Sequence, residues 1–184
     1  IAGYMKHIGI KKGDAVTIFL PTLVHAFTSF YALNKVGIIA NIVHPLTSPE
    51  GLLESIKFTD SKAIFMLDIL MEKYADAVNE ANIPCIICSN SDYVSALLNV
   101  PFNVFEKVKG KGLDNFKNTV KYKNVIKIGS KVETQSTGSS DDIAVYLHGG
   151  GTTGKSKTIM LSSDNINAIA DKLEPLDEDH KPGS

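Results

Sequence analysis

Four short runs of apolar, strand-favouring residues alternate along this chain with segments of helical spacing, and that alternation limits the folds open to it. The runs are residues 15–20 (AVTIFL), 38–43 (IIANIV), 62–67 (KAIFML) and 83–88 (IPCIIC). They are nearly continuous in hydrophobicity, not alternating, as in a parallel sheet covered on both faces. Pro21-Thr22 opens a helix through Lys35, with Thr22 as its expected N-cap and Gly37 as its stop. Ser48-Pro49-Glu50 is a stronger start: a capping hydroxyl, a proline at the first helical position and an acid at the positive dipole end. Leu52, Leu53 and Ile56 give that helix its apolar side. Leu70, Met71, Tyr74, Ala75, Val78 and Ala81 recur at helical spacing, and short helices are expected at residues 1–8 and 93–98. The reading is α/β: a mostly parallel, doubly wound sheet with flanking helices.

Charge and cysteine usage narrow the function classes. The net charge is −1 over 184 residues, so no global field draws the chain to nucleic acid or to an anionic membrane. Eight lysines fall between Lys107 and Lys131, but with few aromatic residues and no arginine among them they read as a solvated surface within an irregular stretch, 102–140. All nineteen cations are lysine, so any phosphate must be held by ammonium groups, hydroxyls and main-chain N–H groups. Cys85 and Cys88 form a CxxC inside an apolar strand, where residues three apart point to opposite faces; neither a metal nor a redox site is expected. The cysteines fit a reduced, cytoplasmic setting. No apolar stretch reaches bilayer length, no signal peptide is visible, and both ends of the chain look cut.

The chemistry is concentrated in His148-Gly149-Gly150-Gly151-Thr152-Thr153-Gly154-Lys155-Ser156-Lys157, which holds four glycines, two threonines and two lysines in ten residues. Glycines let successive N–H groups turn toward one point, while the hydroxyls and ammonium groups add donors and positive charge. This composition suits a loop that wraps a polyphosphate. Gly149-x4-Gly154-Lys155-Ser156 satisfies the P-loop pattern, and residues 63–68 (AIFMLD) resemble the strand and acid that hold magnesium in such proteins. A P-loop needs a helix directly after its lysine and serine. Thr158-Ile159-Met160-Leu161 instead favours a strand, and Ser162-Ser163-Asp164 is the better helix start, opening residues 165–173. The expected order is strand, glycine loop, strand, helix.

Residues 9–68 (GIKKGDAVTIFLPTLVHAFTSFYALNKVGIIANIVHPLTSPEGLLESIKFTDSKAIFMLD) resemble the amino-terminal region of the adenylate-forming, AMP-binding enzymes, in particular the acyl-CoA synthetases. The order is shared: a Gly-Asp turn, a strand ending in Leu-Pro, a helix, a Gly-flanked strand, then a helix begun by a hydroxyl and a proline. The glycine segment is similar to that family's phosphate loop, (S)GTTGxPKG, with Gly151, Thr152, Thr153, Gly154 and Lys157 matching position for position. Gly149 and Gly150 stand where threonine and serine are usual, Ser156 where proline is, Thr158 where glycine is, and His148 where an aromatic residue is frequent.

The resemblance implies an enzyme that activates a carboxylic acid, a fatty acid by family frequency, with ATP to an acyl-adenylate and passes the acyl group to CoA. ATP, Mg²⁺ and CoA would be the co-substrates. Gly150, Gly151, Thr152, Thr153, Gly154, Lys155 and Lys157 would grip the phosphates, and His148 would line a pocket or simply be hydrogen-bonded. His25 and His44 read as structural. The resemblance also implies that the catalytic, magnesium-binding and acyl-pocket residues lie elsewhere, so this stretch alone is expected to be inactive. Expected divisions are an α/β unit over 1–134, a flexible polar linker over 135–142, and an incomplete phosphate-loop hairpin with its following helix over 143–184.

Overall fold

Strand β1 (Ala15–Phe19) is buried at every position, which is what an unbroken apolar run requires when helices cover both faces of its sheet. In the computed structural model, which describes residues 1–93, 116–149 and 157–173, β1 is the middle strand of a seven-stranded sheet. The chain runs α1 (Ala2–His7), β1, α2 (Val24–Lys35), β2 (Ile39–Ile42), α3 (Pro49–Phe58), β3 (Ile64–Leu67), α4 (Met71–Ala81), β4 (Cys85–Cys88), β5 (Thr119–Lys121), α5 (Tyr122–Gly129), β6 (Ile143–Gly149), β7 (Lys157–Ser162) and α6 (Ser163–Leu173). The strands lie in the order β5-β4-β3-β1-β2-β6-β7. All neighbours are parallel except β6 and β7, which are antiparallel. The doubly wound α/β architecture read from the sequence is the architecture present.

Two apolar layers follow from the period of two along each strand. Val16, Ile18, Ala40, Phe65, Ile86 and Val145 pack with Tyr4 and Met5 of α1, Leu33 of α2 and Tyr122 and Val125 of α5. Phe19, Ile64, Met66 and Ile87 pack on the opposite side with Leu52 and Ile56 of α3 and Met71, Tyr74 and Val78 of α4. The cysteines divide as their spacing demands, Cys88 in the first layer and Cys85 in the second. Burial pushes the Cys85 thiol up to about 12 and raises Cys88 as well, so neither is a thiolate at neutral pH.

Ser48 caps α3, its Oγ accepting from the Gly51 N–H at 3.1 Å, with Pro49 at the first helical position. Thr22 does not cap α2: the helix starts at Val24, and the N-cap position is Leu23, extended at φ −125°, with no side-chain cap bond. Leu23 packs against the first apolar layer, and its carbonyl accepts from the Ala26 and Phe27 N–H groups. Apolar anchoring, not a hydroxyl, sets that boundary. Gly37 ends α2 at φ +71°, where a Cβ would also strike Lys12.

Within the stretch 102–140, which reads as irregular in sequence, the described residues 116–140 contain β5 and α5. Tyr122 and Val125, three residues apart, turn one side of α5 into the core, while Lys123 and Lys127 stay exposed as a solvated face. Residues 135–142 have no regular structure but are tied down. The Thr137 N–H donates to Lys35 O at 3.0 Å, and Lys12 Nζ reaches Thr137 O at 2.9 Å and Asp142 Oδ2 at 2.6 Å. The helix expected over 93–98 lies outside the described residues except for Tyr93, which ends a 3₁₀ turn, Asn90–Tyr93.

Helices α1 and α5 cross at Gly3 and Gly129. A Cβ on Gly3 would collide with the Gly129 carbonyl, and one on Gly129 would lie 2.8 Å from the Tyr4 nitrogen. The obstacle is backbone, so it cannot swing away. Gly3→Ala is expected to destabilise by about 1–3 kcal/mol, lowering Tm by roughly 3–10 °C for a chain of this size. Calorimetry checks this; an unchanged Tm would contradict the close crossing.

Candidate functional site

The glycine segment emerges where β6 ends. β6 is parallel to β2, with Ala40 opposite Val145 and Ile42 opposite Leu147, so it delivers the chain to the carboxyl edge of the parallel strands. That edge is where open α/β sheets bind their ligands. β7 then returns antiparallel along β6, with His148 opposite Thr158 and Gly149 opposite Lys157. The order is therefore strand, loop, strand, helix. A strand from Lys157 onward is incompatible with P-loop geometry, which needs a helix there. α6 follows as expected: Ser162 Oγ accepts from the Asn165 N–H at 3.2 Å, and Asn165 Oδ1 accepts from the Ser162 N–H at 3.0 Å.

Of the residues singled out in the sequence, Lys157 and His148 are described, and both lie in the hairpin stem. Lys157 is exposed. Gly150, Gly151, Thr152, Thr153, Gly154 and Lys155 lie outside the described residues. His148 is hydrogen-bonded at both ring nitrogens. Its Nε2 lies 2.6 Å from Asn41 Oδ1 and 3.1 Å from Ser55 Oγ, and its Nδ1 lies 3.2 Å from Thr158 Oγ1. Four elements meet at this ring: β2, α3, β6 and β7.

The donors and acceptors assign its tautomer. Asn41 Nδ2 donates to Thr17 Oγ1 at 3.0 Å and to Ser55 Oγ at 3.1 Å, which leaves the Asn41 oxygen as acceptor. His148 Nε2 must then carry the proton, and Nδ1 accepts from the Thr158 hydroxyl. The chain of bonds continues inward from Thr17 to Ser61 at 2.9 Å and from Ser61 to Thr59 at 2.8 Å. No charged group takes part, and burial holds the His148 imidazole below its ordinary 6.5. The polar Asn41 inside the apolar run IIANIV was the sequence signal for this network, because a buried amide requires partners. Reading that run only for hydrophobicity missed it.

A second histidine, this one buried, lies under α2. His25 Nε2 sits 3.1 Å from Asp92 Oδ2, with the rings of Tyr93 and Tyr122 each 4.7 Å away in edge-on contact. The Tyr122 hydroxyl lies 2.9 Å from Thr28 Oγ1 and 3.0 Å from the Tyr93 hydroxyl, and burial raises the Tyr122 pKa. With the His25 side chain only 3% exposed, this is a fastening between α2, α5 and the turn after β4. His44 is exposed in a loop and accepts the Leu46 N–H at 3.2 Å. His25 holds elements together in the core, and His44 bonds locally within its loop.

This fold, with its hairpin at the carboxyl edge, is that of the adenylate-forming enzymes. Residues 1–182 match the AMP-binding enzyme family, and the chain belongs to it. It is 28% identical over 189 residues to a long-chain-fatty-acid–CoA ligase of Bacillus subtilis, covering all of this chain and 34% of that protein. It is 25% identical to a probable CoA ligase of Humulus lupulus, over 94% of this chain and 28% of that one. Its backbone resembles that of ATP-bound MatB from Rhodopseudomonas palustris with a TM-score of 0.66 at 18% identity, over 95% of this chain and 30% of that one. The chain spans about a third of the length of these relatives. No helix among the described residues is long and apolar enough to cross a membrane.

A half-buried neutral imidazole has a measurable consequence. Because the folded-state pKa of His148 is depressed, its contribution to stability is intact above the ordinary 6.5 and is lost as pH falls through the folded value. His148→Gln keeps a donor toward Asn41 but cannot be charged. Thermal melts from pH 8 down to pH 5 are expected to show a shallower loss of Tm in this variant than in the wild type. Parallel pH profiles would contradict a depressed His148 pKa.

Proposed function

We propose that this chain is the phosphate-gripping part of an AMP-forming acyl-CoA synthetase, an acid–thiol ligase acting on a fatty acid. In the first step a carboxylate oxygen attacks the α-phosphorus of ATP, the bond to the β-phosphate oxygen breaks, and pyrophosphate leaves the acyl-adenylate. In the second, the sulfur of CoA attacks the acyl carbon and AMP leaves. The observation that carries this reading is the β6–β7 hairpin, which sets the glycine segment at the carboxyl edge with Lys157 opposite Gly149 at its base. Membership of the AMP-binding family supports the adenylation step, and the names of the relatives support CoA and a fatty acyl group.

In this reading the loop meets the β- and γ-phosphates with main-chain N–H groups of Gly150, Gly151 and Gly154 and with the hydroxyls of Thr152 and Thr153. Lys157 and Lys155 offset the charge that builds as pyrophosphate departs. Mg²⁺ would shield the phosphates when bound. Among the described residues no group of three or more His, Cys, Asp or Glu side chains is placed to hold a metal ion. As the chain spans about a third of its relatives, the 184 residues alone are proposed not to turn over.

Lys157→Ala in the intact protein is expected to lower pyrophosphate–ATP exchange with palmitate by about 10²-fold, the scale of losing one preorganised transition-state donor. Thioester formation from synthetic palmitoyl-adenylate should fall far less. An unchanged exchange rate would remove Lys157 from the phosphate site.

A further inference from the structure

The His148 ring is surrounded by hydrogen-bond partners that a purely apolar ring would not need. His148 and Thr158 are opposite each other across the hairpin, so their 3.2 Å bond joins the two strands one residue pair below Gly149 and Lys157. Asn41 and Ser55 come from β2 and α3, and both reach His148 Nε2. Asn41 is 0% exposed and also bonded to Thr17 of the central strand, itself 0% exposed. The strand at the far edge of the sheet is thereby tied to its centre by side-chain hydrogen bonds as well as by the backbone ladder.

We propose that Asn41 and Ser55 are positioning residues for Lys157, acting through His148, which they and Thr158 hold as the neutral Nε2–H tautomer across the base of the hairpin. This rests on the phosphate-loop reading above and deepens it. Neither Asn41 nor Ser55 touches the nucleotide. Their effect is to fix the ring, the ring fixes Thr158, and Thr158 fixes the start of the strand that carries Lys157. A plain aromatic ring would fill the same space without directional bonds. The histidine adds direction, and only while its protons are placed as described: with the proton on Nδ1, bare Nε2 would face the Asn41 oxygen and two acceptors would meet.

The test has two independent arms on the intact protein. In the first, nitrogen-15 NMR of histidine-labelled wild type at pH 7.5 reads the tautomer directly. A signal pair of protonated Nε2 and bare Nδ1 that is missing from His148→Gln is expected; if the signals lost in that variant belong to the Nδ1–H form, the proposal is overturned. In the second, calorimetry measures the Kd of Mg·ATP for wild type, Asn41→Leu, Ser55→Ala, His148→Ala, His148→Gln and His148→Met, with circular dichroism confirming the fold. Asn41→Leu and His148→Ala are expected to weaken binding about tenfold, the scale of a lost buried hydrogen bond, and Ser55→Ala less. His148→Gln, which keeps the donor, should recover most of the affinity, whereas His148→Met, of similar volume but without a donor, should not; equal recovery by both would mark a space-filling role and overturn the proposal. Should Asn41→Leu fail to fold, Ser55→Ala and the histidine variants carry the arm. Equal affinity across the folded variants overturns this inference and leaves the phosphate-loop reading intact; a wild type that binds no Mg·ATP overturns both.

Discussion

β6 joins the sheet by parallel hydrogen bonds to β2, between Ala40 and Val145 and between Ile42 and Leu147, and that pairing decides where the glycine segment emerges. Its direction puts the end of β6 at the carboxyl edge. Its register sets His148 beyond Leu147, on the face where Asn41 and Ser55 can reach it. The antiparallel return of β7 then places Lys157 beside Gly149. A one-residue slip of β6 would turn His148 to the opposite face and leave the buried Asn41 amide short of partners, at a cost of about 1–3 kcal/mol. The polar network and the strand register therefore specify each other.

The rest of the sheet gives this edge a firm support. β1, β3 and β4 are buried on both faces, with Phe65 and Ile86 under one set of helices and Phe19, Ile64 and Met66 under the other. The Phe19 and Tyr74 rings meet edge-on at 4.8 Å, and the Tyr74 hydroxyl donates to Thr47 O at 2.7 Å, holding the loop that leads into α3. Ser55, which contacts His148, sits two turns along that helix. The path from core to hairpin runs through packed side chains and short hydrogen bonds.

Much of this was legible in the sequence because the signals were local. Unbroken apolar runs marked β1 to β4, Ser48-Pro49 marked the start of α3, and β-branched Thr158 and Ile159 marked β7 where a P-loop would need a helix. Three features were not legible. β5 and α5 were masked by lysines, since Lys121, Lys123 and Lys127 flank a short apolar set, Val120, Tyr122 and Val125. Thr22 had the right chemistry for a cap but lost to Leu23, whose packing fixes the chain one residue later. The His148 network joins residues up to 107 positions apart, so no window along the chain contains it. The sequence could show only that Asn41 was a polar residue in need of a partner.

The central claim is that the hairpin tip between Gly149 and Lys157 receives the phosphates of ATP. Hydrogen–deuterium exchange of the intact protein with and without Mg·ATP tests it most directly, because it reports on main-chain N–H groups, the donors the claim invokes. Protection by Mg·ATP is expected in peptides spanning residues 147–160 and not in those covering the opposite edge around Lys6, Lys12 and Thr137. Unchanged exchange across 147–160, with protection elsewhere in the protein, would contradict the account.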